Sequence, residues 1–172
     1  MLQSSSVFLR ALEPEDLELL YTIENDTTVW SVSSERSHYS KFALKQYLAS
    51  QPANIFQQGE LRLVICESLT NKSVGLIDLT NFSPIDRRAE ISICLLSTYR
   101  GRGYAKDAIV NIEKYAAEVL RLDFLYAQVS KTTNPVSMKL FESLAYAEVA
   151  LLPAWHYGKN GYEDLAILKK KL

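Results

Sequence analysis

This sequence has no excess of positive charge, and cysteine, histidine and long hydrophobic runs are scarce in it. Its 172 residues carry a formal net charge of −1. Because binding to duplex nucleic acid usually requires a basic face, this charge argues against nucleic acid as a main partner. No apolar stretch is long enough to cross a bilayer. Residues 1–6 lack a basic region followed by an apolar one, so we expect neither a signal peptide nor a membrane segment.

The two cysteines, Cys66 and Cys94, each lie within a strand-like apolar run. We interpret both as buried, reduced thiols of a cytoplasmic protein, and a disulfide or a metal-binding role as the weaker alternative. The sequence has no Cys-x-x-Cys or His-x-x-x-His pair, and its histidines are His38 and His156. We therefore predict no metal site.

Glycine and proline are also infrequent, with six and five residues, which argues against a low-complexity or disordered chain. Hydrophobic residues make up 48% and charged residues 23%, the proportions of an ordinary globular protein. A length of 172 residues is enough to bury a sizeable core. We predict one domain over residues 1–172.

The hydrophobic pattern predicts strands and helices in the order β-α-α-β-β-β-α-β-α-β-β. The clearest helix extends from Tyr104 to Leu120, where apolar residues recur at helical spacing. We expect residues 61–96 to form antiparallel strands, and residues 89–129 to form a right-handed strand–helix–strand unit with parallel strands. Residues 153–161 are a predicted loop between the last two strands. The sequence thus predicts an α/β protein with a mixed sheet and helices on its faces.

A glycine-rich turn at residues 99–105 separates a predicted strand from the long predicted helix. Gly101 and Gly103 let the backbone pass close to a ligand without a side chain in the way. The free N–H groups of the helix's first turn, together with the helix dipole, favour a phosphate or pyrophosphate there. The alternative is a tight surface turn whose arginines are solvated.

Several motifs resemble those of one enzyme superfamily. Arg100, Gly103 and Ala105 fill the pattern Arg or Gln, two residues, Gly, one residue, then Gly or Ala, and Gly101 is a common extra glycine. Asn134 starts a helix after the fifth predicted strand. Further likeness lies in the opening segments and at the head of the fourth strand, Phe8–Leu12, Pro14–Asp16 and Ala89–Ile91. The chain therefore resembles the GNAT N-acetyltransferase superfamily, and most closely its branch of ribosomal-protein N-terminal and spermidine acetyltransferases.

This resemblance implies a mostly antiparallel sheet of about seven strands, splayed between strands 4 and 5, with flanking helices. It implies acetyl-coenzyme A as donor, an amine as acceptor and direct transfer in a ternary complex. Two alternatives stay open: a non-catalytic acyl-coenzyme A-binding regulatory module and, within the enzyme class, a polyamine (spermidine) N-acetyltransferase. A nucleotide-dependent kinase or dehydrogenase fits less well, because no Gly-Lys-Ser/Thr follows the glycines.

The resemblance also implies which residues bind acetyl-coenzyme A. The gap between strands 4 and 5 would hold the pantetheine arm, paired with the backbone of Ile93 and Leu95. Asn134 would cap its helix and reach the same arm, or it would serve as a cap alone. Arg100 or Arg102 would add charge-assisted contacts to the pyrophosphate. The pyrophosphate itself would be held by five backbone N–H groups, those of Gly101, Arg102, Gly103, Tyr104 and Ala105.

Transfer to an amine requires a base, because only a neutral amine attacks the thioester. Glu90 is our candidate base, and the alternative is a surface carboxylate paired with Arg87 or Arg88. Ser137 matches a serine of the ribosomal-protein branch that would orient or protonate the sulfur, although simple packing explains it equally well. Phe141 departs from the family, since many members have a proton-donating tyrosine at this position.

Many family members also have a glycine at the end of the helix that Asn134 begins, and here this glycine is replaced by Ala145. The resemblance therefore predicts a left-handed turn at an alanine.

The acceptor amine is expected to meet residues 27–38 and the loop 153–161. Polyamine enzymes use an acidic cluster here, whereas residues 33–50 hold one acid, Glu35, among several basic residues. We therefore rank a peptide N-terminus or a small amine above a polyamine, and we leave a homodimer open. Five side chains are candidates to line the acceptor site, and packed aromatic anchors are the alternative: Trp30, His38, Trp155, His156 and Tyr157.

Overall fold

A seven-stranded sheet forms the centre of the computed structural model, which describes residues 5–30, 32–33, 36–50 and 54–172. Its spatial order is β1-β2-β3-β4-β5-β7-β6, and β4 and β5 alone are a parallel pair within this sheet. This confirms the predicted mixed, mostly antiparallel sheet. The strands are β1 (Val7–Ala11), β2 (Leu61–Glu67), β3 (Ser73–Ser83), β4 (Arg88–Leu95), β5 (Phe124–Ser130), β6 (Ala147–Gly158) and β7 (Gly161–Lys171).

Within the described residues, five α-helices flank the sheet: α1 (Leu17–Glu24), α2 (Lys41–Ala49), α3 (Ile55–Gln58), α4 (Tyr104–Glu118) and α5 (Pro135–Ser143). Side-chain caps begin three of them: the Ser40 side chain accepts from the N–H of Ala43, that of Asn54 from the N–H of Gln57, and that of Asn134 from the N–H of Ser137. The short α3 was not predicted. The sequence also predicts that Pro52 closes the second helix, and this residue lies outside the described residues. Across the described part of the chain, no helix is long and apolar enough to span a membrane.

Two hydrophobic clusters lie on opposite faces of the sheet. On one face α4 and α5 pack against residues such as Ala89, Ile91 and Leu95 of β4. On the other face α1 and α2 pack against a smaller cluster that Cys94 joins. Because side chains alternate along a strand, Glu90 and Ser92 lie on the same side as Cys94. We call this side, with its three β4 residues Glu90, Ser92 and Cys94, the α1 face of β4.

A gap opens between β4 and β5. The two strands pair at only three positions, which are Arg88 with Phe124, Ala89 with Leu125 and Glu90 with Tyr126. Beyond Glu90, β4 stays paired with β3 up to Leu95, whereas β5 stays paired with β7 up to Ser130. The sheet therefore splits between β4 and β5, as the family resemblance implied, and the structure places the start of the split at Glu90.

The predicted loop 153–161 was wrong, because β6 and β7 continue through it as a hairpin with a tight turn at residues 159–160. Pro153 suggested a break because proline cannot donate a backbone hydrogen bond. It is tolerated here because β6 is an edge strand, and it lies where the β6–β7 register shifts between Leu152 and His156. Both cysteines are free thiols, Cys66 buried and Cys94 half-buried.

Candidate active site

The glycine turn has the backbone conformation that its sequence predicts. Gly101 and Gly103 have φ angles of 75° and 83°, in the left-handed region that side chains disfavour. An added Cβ at either position would meet no atom within 4 Å. The glycines are therefore required by the turn itself, and the space beside them is open to a ligand.

The turn also presents free donors. Gly103 is the N-cap of α4, and the first hydrogen bond of that helix runs from the N–H of Asp107 to the carbonyl of Gly103, at 3.2 Å. Within the described residues, no hydrogen bond starts from the backbone N–H of residues 101–106. Unpaired N–H groups at the positive end of a 15-residue helix suit a pyrophosphate.

The two arginines of the turn are both held by local carbonyl groups. Arg100 Nε donates to the carbonyl oxygen of Leu95 at 3.0 Å. Arg102 Nη2 donates to Thr98 at 3.0 Å, and its guanidinium lies 5.2 Å from the centre of the Tyr99 ring. Both side chains are exposed at the mouth of the gap, where they add positive charge to the turn.

Tyr104 offers a ligand only its backbone. Its ring is buried in the core, and its hydroxyl donates a hydrogen bond to Glu67. This hydrogen bond to a carboxylate raises the pKa of Tyr104. The packing anchors the first turn of α4 to the end of β2, so the N–H groups of the turn have a fixed direction.

The free edge of β4 has backbone groups available for an extended ligand. The N–H of Leu96 donates to the carbonyl of Val74 on the β3 side, at 3.0 Å. Since backbone groups alternate in direction along a strand, those of Ile93 and Leu95 are directed to the gap. The Leu95 carbonyl is already bonded to Arg100, which leaves the Leu95 N–H and both groups of Ile93.

Asn134 and Ser137 lie at the start of α5. The Asn134 Oδ1 atom accepts the Ser137 N–H at 3.3 Å, so the predicted cap is present. No hydrogen bond from the Asn134 side-chain amide or the Ser137 hydroxyl is found among the described residues. Both residues are half-buried, so these groups are partly open to solvent.

Glu163 organises the loop before Asn134, and our reading of the sequence missed it. It is only 8% exposed, and it accepts hydrogen bonds from the Ser130 hydroxyl, the Thr133 hydroxyl (2.7 Å) and the Thr133 N–H (3.2 Å). These bonds, above all that from Ser130, lower the pKa of Glu163. Its carboxylate occupies the space where a side chain at Gly158 would lie.

Glu90 lies at the closed end of the gap and is half-buried. Its Oε2 atom accepts hydrogen bonds from Asn81 Nδ2 at 2.8 Å and Gln128 Nε2 at 3.1 Å. The arginines considered as alternative partners bind elsewhere. Arg87 pairs with Asp123 at 3.1 Å and Arg88 with Asp86 at 3.3 Å.

The five predicted acceptor residues form two groups. The rings of Trp30 and His38 are 4.7 Å apart. Tyr157 packs edge-on against Tyr162 at 5.0 Å, and His156 lies opposite Glu163 in the β6–β7 hairpin. Trp155 is 66% exposed.

A hydrogen bond joins the two predicted acceptor segments. Arg36 Nη2 donates to the carbonyl of Tyr157 at 2.5 Å. The structure therefore links residues 36–38 with the β6–β7 hairpin.

Carboxylates that our sequence interpretation did not consider lie near enough to Cys94, on the α1 face of β4, to affect its thiol. Burial raises the pKa of the Cys94 thiol, Arg100 opposes this shift, and Asp26, Glu24 and Asp78 add to it. Two of these acids share one cation. Arg62 contacts Glu24 at 2.6 Å and Asp78 through two bonds of 2.9 Å.

Two departures from the family pattern have clear structural consequences. Phe141 is 3% exposed and packs edge-on against Tyr146, with ring centres 5.0 Å apart. Ala145 has a φ of 67°, which confirms that the left-handed turn falls on alanine. Across the described residues, no three His, Cys, Asp or Glu side chains are arranged to hold a metal ion.

Comparison with known proteins gives consistent matches over most of the chain. A family model described as an acetyltransferase (GNAT) domain matches residues 6–146. Spermidine N(1)-acetyltransferase of Vibrio cholerae serotype O1 is 26% identical over 162 residues, with 94% of this chain and 91% of the relative covered. Spermidine N(1)-acetyltransferase of Escherichia coli K12 is 30% identical over 148 residues, with 86% of this chain and 76% of the relative covered.

A solved structure matches the fold as well. The crystal structure of spermidine N-acetyltransferase from Vibrio cholerae in complex with CoA and spermine gives a TM-score of 0.87 at 25% identity, with 98% of this chain and 96% of that chain covered. The split sheet and the glycine turn have the features that the resemblance implied. The chain belongs to the GNAT acetyltransferase family and is an acetyl-coenzyme A-dependent N-acetyltransferase.

Proposed function

We propose that this N-acetyltransferase acetylates a primary amine of a small polyamine such as spermidine, and that Glu90 is the base. The observation that carries the acceptor class is the set of carboxylates along the α1 face of β4. The relatives named above are spermidine N-acetyltransferases, which supports the same class.

The charge on this face suits a molecule with several ammonium groups. Carboxylates outnumber guanidinium groups there, and a polyamine spans several of them at once. The acids come from the end of α1 and the residues just after it, from β3 and from β4. All of these lie outside the segment 33–50, so that segment understated the negative charge. Glu35, the acid of that segment, lies outside the described residues. The groups concerned are Glu24, Asp26, Asp78 and Glu90, against Arg62 and Arg100.

Glu90 would act at the reacting nitrogen. It removes one proton from the acceptor ammonium, directly or through a water, and the neutral nitrogen bonds to the acyl carbon. The nitrogen then loses its second proton to solvent, the carbon–sulfur bond breaks and the thiolate leaves. A backbone N–H of β4 in the gap would stabilise the oxyanion, since those of Ile93 and Leu95 face that space.

The thiolate must take its proton from a group other than the tyrosine that many family members have at the position of Phe141. The Phe141 ring has no acidic proton and is buried against Tyr146. We propose that solvent supplies this proton and that the Ser137 hydroxyl orients the sulfur. For the donor itself, acetyl-coenzyme A, we propose the N–H groups of residues 101–105, the gap-facing backbone of Ile93 and Leu95, and the Asn134 side-chain amide.

An acceptor panel tests the acceptor class. Release of free coenzyme A thiol is followed with spermidine, spermine, amino acids, monoamines and short peptides, and the products are identified by mass spectrometry. We expect the highest kcat/KM with a polyamine. A higher kcat/KM with peptide N-termini or with monoamines would reject the polyamine and leave the N-acetyltransferase activity in place.

A matched pair of variants tests the role of the carboxylates. Asp26→Asn keeps the shape of the side chain and an oxygen for the Thr28 bonds, but removes the charge. We expect KM for spermidine to rise about two- to fivefold, since one exposed charge contributes up to about 1 kcal/mol, and KM for acetyl-coenzyme A to stay constant. The control is Glu142→Gln on the exposed side of α5. An equal rise in KM for spermidine with Asp26→Asn and with Glu142→Gln would contradict the proposal.

We also propose a cytoplasmic location, in keeping with two unpaired thiols, and the homodimer stays a prediction. Light scattering of the purified chain measures the oligomeric state directly. A mass of one chain across the working concentration range would contradict the dimer.

A further inference from the structure

We propose that Asn81 and Gln128 are positioning residues that hold the Glu90 carboxylate in one orientation at the closed end of the gap. This inference rests on the proposed role of Glu90 as base. The three side chains come from three neighbouring strands, β3, β4 and β5. We call these two side-chain amides, of Asn81 and Gln128, the amide pair.

Both amides bind the same carboxylate oxygen. Asn81 Nδ2 lies 2.8 Å and Gln128 Nε2 3.1 Å from Glu90 Oε2. Burial and then the nearby Glu90 charge raise the pKa of Tyr126, the cross-strand partner of Glu90, so the Tyr126 hydroxyl also lies close to the carboxylate. The hydrogen bonds that the side-chain amides of the described residues make to Glu90 both end on Oε2. One oxygen is therefore anchored by two donors, and the other is available to a proton from the acceptor ammonium.

The backbone of Asn81 is shaped to deliver its amide. Its φ is 48°, a conformation that is unfavourable for most side chains and best tolerated by asparagine and glycine. It lies in the irregular part of β3 between Thr80 and Ser83, and Thr80 is the direct partner of Glu90. A bulge of this kind redirects a side chain, here towards Glu90.

Gln128 reaches Glu90 across the gap. The last pair of the two strands is Glu90 with Tyr126, and Gln128 follows two residues later on β5. Because side chains alternate, Gln128 lies on the same face as Tyr126 and Glu90. Its hydrogen bond connects the two edges of the gap at the point where they separate.

This arrangement limits rotation of the carboxyl group. A free glutamate has several rotamers, whereas two convergent donors fix the position of Oε2 and, through the planar group, that of Oε1. Proton transfer depends strongly on such placement, because a small displacement of a reacting group costs a large factor in rate. The amide pair would therefore act on kcat more than on donor binding.

The test uses variants that delete each amide with little other change. Asn81→Gly removes the side chain and suits the positive φ, whereas Gln128→Ala shortens an exposed residue. With acetyl-coenzyme A and spermidine, we expect each to lower kcat about tenfold or more, with KM for acetyl-coenzyme A and the melting temperature close to wild type. Asn81→Asp and Gln128→Glu keep the shape and replace a donor by a repelling carboxylate, so they should lower kcat further.

Combination with Glu90→Gln separates positioning from a general structural effect. In that background the amide pair has no base to position, so adding Asn81→Gly or Gln128→Ala should change kcat little. The positioning role is rejected, and Glu90 remains the base, if Glu90→Gln lowers kcat but the amide variants do not. The same conclusion follows if the amide variants lower kcat by the same factor in wild type and in the Glu90→Gln variant. Full turnover of Glu90→Gln would instead reject the base, and the positioning role with it.

Discussion

Arg100 Nε donates a 3.0 Å hydrogen bond to the carbonyl oxygen of Leu95. The residue that begins the glycine turn is thereby tied to the end of β4, at the mouth of the gap. The N–H groups of the turn and the free edge of β4 are held in a fixed relationship, as a ligand that extends from one to the other requires. This contact distinguishes Arg100 from the nearby Arg102.

Arg100→Ala should weaken donor binding more than Arg102→Ala. The first change removes a guanidinium and frees the Leu95 carbonyl, whereas the second breaks an exposed bond to Thr98. We expect KM for acetyl-coenzyme A to rise about tenfold for Arg100→Ala, since a hydrogen bond from a charged group contributes about 1.5–3 kcal/mol. Steady-state kinetics and calorimetry with coenzyme A measure this. A larger loss with Arg102→Ala would contradict the assignment.

Gly103→Ala should impair both folding and binding of coenzyme A. Its φ of 83° imposes strain on alanine of about 1–2 kcal/mol. Gly59 ends α3 with a φ of 76° and likewise has no atom within 4 Å of an added Cβ, so Gly59→Ala is a matched control for the strain. Thermal unfolding should show similar losses, and calorimetry should show weaker binding for Gly103→Ala alone. Equal effects on binding would contradict a specific role of the turn.

The sequence allowed prediction of the features that local patterns encode. The strand–turn–helix at residues 99–105 and the cap at Asn134 are each set by a few neighbouring residues, and the structure confirms both. The left-handed turn at Ala145, which the structure also confirms, followed from the family resemblance. The order of strands followed from hydrophobic periodicity. The split between β4 and β5 followed from the family resemblance rather than from any local signal.

Other features depend on contacts between distant segments. Glu163 is bonded to a loop 30 residues earlier, and Asn81 to a carboxylate on the next strand. The composition of a short stretch of sequence does not reveal contacts between residues that are far apart in the chain. The hairpin beyond Pro153 was missed because an edge strand tolerates proline, and edge position is decided by the whole sheet.

Glu163→Gln should destabilise the protein at neutral pH and much less in acid. Hydrogen bonds from Ser130, and then from Thr133, lower the pKa of Glu163 in the folded state. The stabilisation is therefore complete above the ordinary glutamate pKa of about 4.3 and is lost as the pH falls through the lower folded value.

At pH 7 we expect Glu163→Gln to cost about 1–3 kcal/mol of unfolding free energy. Denaturant titrations at several pH values measure this, with Glu142→Gln as an exposed control. A difference from wild type that stays constant down to acid pH would show that the charge of Glu163 is not the cause.

Phe141→Tyr should not restore the missing proton donor. The ring is buried and packs against Tyr146, so a new hydroxyl would enter an apolar environment. We expect a loss of about 1–3 kcal/mol in stability and no gain in kcat. Thermal unfolding and single-turnover kinetics check both. A clear increase in kcat would mean that the hydroxyl reaches the reacting sulfur.

Steady-state kinetics of Glu90→Gln at neutral pH, with acetyl-coenzyme A and spermidine, test the central claim most directly. If Glu90 removes the acceptor proton, kcat should fall about a hundredfold or more while KM for acetyl-coenzyme A changes little. Thermal unfolding checks that the variant is folded. Turnover equal to wild type would contradict the account.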